Sequence, residues 1–332
     1  MPKKNDTAPE TGPETGPEAV PAGPVGNSRQ DCVAALATIS REPWALRPEA
    51  MADLHASLEL GAGGLPAPAV AARLKAAVGL DPQASSRSGI VRAGTVAVIP
   101  IRGMIRQNRS AMEEFFGIDL GTTTTALVDR ARTAMDDDEV SAVVFACDSP
   151  GGSVRGLAEA ADALYALRGS KPMLSVVTGE MASAAYHLGC QADEIVISPS
   201  AEAGSIGVWQ MHVDESRFLE SIGYDITLIF AGKFKVEGNP WEPLSEEAQA
   251  HFQEQVDEFY GRFVKDVARG RDDKVSAVRN GYGQGRMMLA KSAVEAGLAD
   301  RVGTLEETIA KLQGARPRRR TGSRAARRLA FI

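Results

Sequence analysis

Val140-Ser-Ala-Val-Val-Phe-Ala-Cys-Asp148-Ser-Pro-Gly-Gly-Ser153 is the stretch whose reading decides the fold. Its first half, 140–146, is an almost unbroken run of apolar and β-branched residues. Strands of that kind are buried on both faces, as in parallel sheets covered by helices. Its second half opens at the strand's carboxyl end, where α/β sheets bind ligands. Proline followed by two glycines predicts a turn there, with backbone N–H groups pointing outward unobstructed by side chains. The motif alone has two readings: a site holding an oxyanion or a substrate backbone, and an ordinary strand-to-helix turn.

Outward from this stretch, strands and helices alternate. An apolar run at 95–101 ends at Arg102-Gly103 and predicts a strand. Ala126, Val128, Ala131 and Ala134 mark a helix before 140. A helix over 156–167, a strand over 173–177, a helix over 182–190 and a strand over 194–197 follow. A further strand is predicted at 226–230. A long helix starts at Ser245, with Glu246 and Glu247 in its first turn and a stripe of Phe252, Val256, Phe259, Phe263 and Val267. The alternation predicts an α/β fold with a largely parallel sheet flanked by helices.

The chain has 332 residues, 44% hydrophobic and 24% charged, with a net charge of −6. That balance excludes a wholesale polyanion binder. Four regions are expected. Residues 1–30 are a disordered Pro/Gly/Glu-rich tail, with too few large apolar groups to offset the entropy of ordering. Residues 31–92 form a small helical region and linker, with helix-favouring runs at 32–39, 48–60 and 69–78. Residues 93–314 form the main domain, and 315–332 a basic tail. Three dispersed cysteines make neither a disulfide framework nor a metal site. No apolar run reaches the ~18 residues of a spanning helix, and the first residues lack a signal-peptide core. A soluble, cytoplasm-type protein is expected.

Two segments carry candidate chemistry. In Thr178-Gly-Glu-Met-Ala-Ser-Ala-Ala-Tyr186 a serine stands among alanines at a helix start. Its hydroxyl is uncrowded and the next N–H can face a reacting carbonyl, as a nucleophile requires. An N-cap serine on a small-residue packing helix is the competing reading. A serine nucleophile needs a base. Of four histidines, His55 lies in the N-terminal region, His251 beside the long helix's stripe, and His187 on the same helix as Ser183; His212 is placed to approach. The alternative base is a lysine that burial keeps neutral. Phe230-Ala-Gly-Lys-Phe-Lys235-Val-Glu-Gly-Asn-Pro240 offers Lys233 and Lys235 among apolar neighbours, where snorkelling surface lysines are the competing reading.

Ser149-Pro-Gly-Gly, Met181-Ala-Ser-Ala, Gly204-Ser-Ile-Gly-Val and Gly232-Lys-Phe-Lys, in that order, resemble the signal-peptide-peptidase (SppA) family of Ser/Lys serine peptidases. The resemblance runs from about Thr95 to Gly303. Within that family, His212-Val-Asp214 and Lys235-Val-Glu-Gly-Asn-Pro240 resemble the phage prohead-protease subgroup, the minor capsid protein C type. It implies a Clp/crotonase-like fold of ββα units. It implies Ser183 as nucleophile, Lys235 as general base, Ser205 as the hydroxyl orienting the lysine, and Gly152 and Ala184 as backbone donors of an oxyanion hole. No cofactor or metal is implied. Implied partners are protein substrates (scaffold, capsid or portal proteins) and further copies of the chain, with active sites sometimes shared between neighbours. No counterpart of the family's membrane anchor is expected, and contact with nucleic acid is expected only at the basic tail. Two alternatives stay open: a Clp-like Ser183/His212 peptidase, and a crotonase-type enzyme or inactive capsid-assembly factor. The exposed N-terminal segment is a candidate for self-cleavage.

Overall fold

A computed structural model describes residues 43–62, 69, 72–73, 89–109 and 119–314. Among these, nine strands form one sheet, and its centre is parallel. Strands β3 (Val96–Ile105), β4 (Ala142–Ser153), β5 (Met173–Ala182) and β6 (Glu194–Ile197) run side by side in that order. The short β9 (Arg301–Val302) extends the sheet beyond β6, and β2 (Val91–Ala93) pairs antiparallel with β3 at the other edge. The α/β class read from the sequence is observed.

Alternation along the strands builds two cores. Ile99, Ile101, Val143, Phe145 and Val177 face helices α2 (Thr124–Asp136), α3 (Leu157–Ala166), α4 (Ala184–Gly189) and α6 (Glu246–Arg271). Val96, Val98, Val144, Leu174 and Val176 face the other way, toward Leu305, Ile309 and Leu312 of α9 (Leu305–Gly314). Each fully buried large side chain contributes about 1.5–3 kcal/mol, so the four central strands are the stability of the fold. Cys147 and Cys190 lie in this interior as free thiols, and burial pushes the Cys147 thiol up to about 12, far from a reactive thiolate.

Two expectations need correction, and the long helix's stripe is resolved into two halves. Asp148-Ser-Pro-Gly-Gly-Ser153 is not a turn; β4 stays extended through Ser153. Neighbouring strands account for this. Met104 and Ile105 of β3 pair with Gly151 and Gly152 on one side. On the other, β1 (Trp44–Leu46) pairs antiparallel with Gly151–Ser153. The strand at 226–230 does not form. Among the described residues that run has no strand beside it, and Ile229 is 96% exposed. The stripe of α6 is buried only in its second half: Phe263 and Val267 are covered, while Phe259 is 40% exposed.

The helix expected over 48–60 is α1 (Pro48–Ala62), which buries Ala50, Met51, Leu54 and Leu58. The expected helix at 32–39 and both tails lie outside the described residues, as does most of 69–78. No helix among the described residues is long and apolar enough to cross a membrane.

Candidate active site

At the upper edge of β5 the strand runs past Val177 to Ala182 and then breaks sharply into the six-residue helix α4. Ser183 occupies the break with φ 52° and ψ −113°, a region where non-glycine residues cost about 1–3 kcal/mol. Two hydrogen bonds hold the break. The Ser183 N–H donates to the Gly204 carbonyl at 2.9 Å, and the His187 N–H donates to the Ser183 carbonyl at 2.9 Å. Gly204 ends β7 (Glu202–Gly204), which pairs parallel with 180–182 of β5. Ser183 is 1% exposed in the single chain, and its hydroxyl has the Gly207 carbonyl 3.5 Å away.

The β4 segment beside it is locked by its own serine. Ser149 Oγ donates to the Gly103 carbonyl at 2.7 Å and accepts from the Gly151 N–H at 3.3 Å. Asp148 Oδ1 accepts from the Glu180 N–H at 3.2 Å, tying β4 to the top of β5. A Cβ on Gly151 would lie 3.0 Å from Ser183 Cβ, so the glycine stretch passes directly beside the serine. A Cβ on Gly152 would lie 1.8 Å from the Ile105 carbonyl oxygen; only glycine fits there. Gly152, Ser183 and Ala184 thus converge on one edge of the sheet.

Ser205, next to Gly204, is buried and has φ 53°; its N–H donates to the Arg286 carbonyl at 2.9 Å. Lys235 stands apart from this cluster. It is exposed on the turn after Gly232, and among the described residues its amine has no hydrogen-bonding or ionic partner. Lys233 Nζ is spent on Glu247, at 2.6 Å. The segment carrying both lysines exposes Phe218, Tyr224, Ile229, Phe230 and Phe234. His212 faces the Asn239 carbonyl at 2.9 Å, and His251 is exposed beside Gln255.

His187 is fully buried one turn beyond Ser183. Its Nε2 meets Asp266 Oδ2 at 2.8 Å and its ring stacks on Phe263 at 4.4 Å. Burial pulls the imidazole pKa down against the pull of Asp266. Burial would raise the Asp266 carboxyl, but hydrogen bonds from His187 and Arg262 hold it below the usual range. Reading His187 as merely lying along the helix missed this pair; an aspartate 79 positions away leaves no local signal. The imidazole also lines a cleft of about 300 Å³ beside Ala45, walled by Val154, Leu157, Val208, Phe259 and Phe263 as well. No group of acidic, histidine or cysteine side chains among the described residues is arranged to hold a metal.

Comparison with known proteins places these features. Residues 166–316, which include Ser183, Ser205 and Lys235, match the model of Peptidase family S49. The chain is 32% identical over 214 residues to the head-tail preconnector protein GP5 of Enterobacteria phage P21, covering 64% of this chain and 42% of that protein. It is 28% identical over 220 residues to capsid assembly protease C of Escherichia phage lambda, covering 66% and 49%. It is 31% identical over 179 residues to a putative signal peptide peptidase SppA of Enterococcus faecium, covering 54% and 52%. The chain spans about half the length of these relatives. Residues 166–316, which carry Ser183 on its strained turn, are thus similar to Peptidase family S49, and the glycine strand beside the serine lies just ahead of the matched stretch.

Proposed function

We propose that the chain is a serine endopeptidase in which Ser183 attacks a peptide carbonyl and Lys235 moves the proton. The observation that carries this reading is the buried Ser183 in a strained backbone conformation beside the glycine strand of β4. Strain of that size persists where the surrounding structure over-determines it, and it aims the hydroxyl.

In the proposed reaction Lys235 takes the Ser183 proton as Oγ bonds to the carbonyl carbon. The Gly152 and Ala184 N–H groups stabilise the oxyanion, each donor supplying about 3–4 kcal/mol. The proton passes to the leaving amine, and water then hydrolyses the acyl-enzyme. An amine serves as base only when unprotonated, which withdrawal from water favours. Lys235 is exposed in the single chain, on a segment rich in uncovered aromatic and aliphatic groups. The proposal therefore includes a homo-oligomer in which that segment packs on a second copy and brings Lys235 to a neighbour's Ser183. Ser205 would then orient the amine.

The substrates proposed are structural proteins of a phage particle (scaffold, capsid or portal), on the strength of the similarity to the two phage proteins. The setting proposed is the host cytoplasm or the prohead interior. The cleft beside Ala45 supplies an apolar recess for a substrate side chain. Labelling with a fluorophosphonate probe tests the core of the reading. Modification of wild type and none of Ser183→Ala is expected; an unlabelled wild-type oligomer would overturn it.

A further inference from the structure

β1 belongs to the N-terminal segment, yet it lies along the glycine strand beside Ser183. Trp44, Ala45 and Leu46 pair antiparallel with Ser153, Gly152 and Gly151. The ladder continues past both ends: the Arg47 N–H donates to the Pro150 carbonyl at 3.0 Å, and the Val154 N–H to the Pro43 carbonyl at 3.5 Å. Hydrogen-bonded pairs alternate along an antiparallel ladder, so Ala45 and Gly152 are in bonding phase. The Gly152 N–H, the donor assigned above to an oxyanion, is turned on the Ala45 carbonyl.

The opposite edge of β1 is engaged too. The Trp44 N–H donates to the Trp209 carbonyl at 2.8 Å, and the Trp209 N–H returns a bond to the Trp44 carbonyl at 3.1 Å. The segment is thus clasped between two backbones, as an extended peptide is held when it adds to a sheet edge. The Ala45 carbonyl oxygen lies 2.2 Å from the position a Gly151 Cβ would take, and Ser183 Cβ lies 3.0 Å from the same position. Ala45 also borders the cleft that His187 and Phe263 line.

We infer that residues Pro43–Arg47 occupy the peptide groove in the manner of a substrate, and that Ala45–Leu46 is a self-cleavage site. The inference rests on the peptidase reading of Ser183. Ser183 Oγ bonds to the Ala45 carbonyl carbon and the Ala45–Leu46 C–N bond breaks. The serine proton passes through Lys235 to the Leu46 nitrogen, which becomes a new N-terminal amine. Water hydrolyses the Ala45 ester, regenerating the hydroxyl and releasing residues 1–45 with a carboxylate end.

What remains is anchored independently of the released piece. Arg47 pairs with Glu180 at 2.9 Å, and Met51, Leu54 and Leu58 of α1 are buried in the body of the protein. Trp44 and Ala45 leave with the released segment, so the cut clears the groove for other chains. A tethered segment meets its site at high effective concentration, which puts this bond ahead of any substrate in solution.

Intact-mass measurement and N-terminal sequencing of the full-length oligomer test this, beside Ser183→Ala and Ala45→Asp. The expected result is loss of residues 1–45 from wild type, a new N-terminus at Leu46, and an uncut Ser183→Ala chain. Ala45→Asp should keep residues 1–45, and the uncut segment, still filling the groove, should slow fluorophosphonate labelling of Ser183 relative to wild type. A wild type that is labelled at Ser183 yet keeps its N-terminus, or is cut elsewhere, overturns the self-cleavage site and leaves the peptidase standing. A wild type neither labelled nor cut overturns both.

Discussion

The Ser183 N–H donates to the carbonyl of Gly204, the residue immediately before Ser205, and both serines carry a positive φ. One backbone bond therefore couples the strand break that carries the proposed nucleophile to the turn that carries the proposed lysine-orienting hydroxyl. Neither conformation suits an L-residue. Their adjacency at the top of β5 and β7 marks where the fold gives up local stability for geometry.

Replacing Ser183 by glycine separates these two roles. Glycine adopts that backbone without strain, so Ser183→Gly should unfold at the same or a higher temperature, by roughly 1 kcal/mol in stability. Its peptidase activity should fall by at least about 10³-fold. Thermal melts and peptide turnover on the same preparation check both halves. A large drop in melting temperature would show that the hydroxyl, not the strain, dominates the local energetics.

The identity of the base is decided by three single substitutions. Lys235→Ala should reduce the rate of Ser183 acylation by about 10³-fold or more, the scale of losing a proton-transfer partner. His212→Ala and Lys233→Ala should change it by less than about tenfold, because His212 faces the Asn239 carbonyl and Lys233 is engaged by Glu247. Loss of acylation in His212→Ala alone would transfer the role to the histidine.

The central strands were legible because burial on both faces leaves a continuous apolar signature, as in 140–146 and 173–177. The helix start at position 183 was legible for a local reason as well: small residues on both sides are what a sharp strand-to-helix break tolerates. What could not be read was pairing. The Pro-Gly-Gly stretch stays extended because β3 lies on one side of it and β1, more than a hundred positions earlier, on the other. The apolar run at 226–230 has the composition of a strand but no partner strand among the described residues, and composition does not encode partners. The His187–Asp266 pair escaped notice because it joins two helices distant in sequence.

If the exposed segment at 218–234 is the surface that meets a second copy, charge placed on it should dissociate the assembly. Ile229→Asp with Phe230→Asp removes two apolar groups that the single chain leaves uncovered. Sedimentation velocity should show a shift toward monomer, and Ser183 labelling should fall in parallel as Lys235 loses its neighbour. Unchanged sedimentation with unchanged labelling would place the interface elsewhere.

The buried imidazole predicts an acid-sensitive fold. Burial lowers the His187 pKa, so the folded chain holds the ring neutral while the unfolded chain takes up a proton below about 6.5. The stabilisation is complete above that pH and is lost as pH falls through the window beneath it. Asp266, held below 3.8 by His187 and Arg262, contributes a second loss at lower pH. Melting temperature measured from pH 7.5 to 5 should decline, and Asp266→Asn should cost about 1–3 kcal/mol by taking the carboxylate from the buried imidazole, while Arg262 keeps Asp162. A flat profile would mean that folding leaves the ring's proton affinity unchanged.

Gly152 is the position where shape and chemistry make the same demand. An added Cβ would meet the Ile105 carbonyl oxygen at 1.8 Å, and the Ile105 carbon and nitrogen at 2.5 and 2.6 Å. These are backbone atoms of the neighbouring strand, so no rotamer change relieves the clash; β3 and β4 must separate or Gly152 must turn. Either response moves the N–H that faces β1 in this structure and that the proposed oxyanion requires. Gly152→Ala should therefore lose about 1–3 kcal/mol or more of stability and nearly all activity together. Gly207→Ala is the comparison, since its added Cβ would meet nothing closer than 3.7 Å, and its melting temperature should stay near wild type. Equal melting temperatures for Gly152→Ala and wild type would show that the two strands yield more readily than their pairing allows.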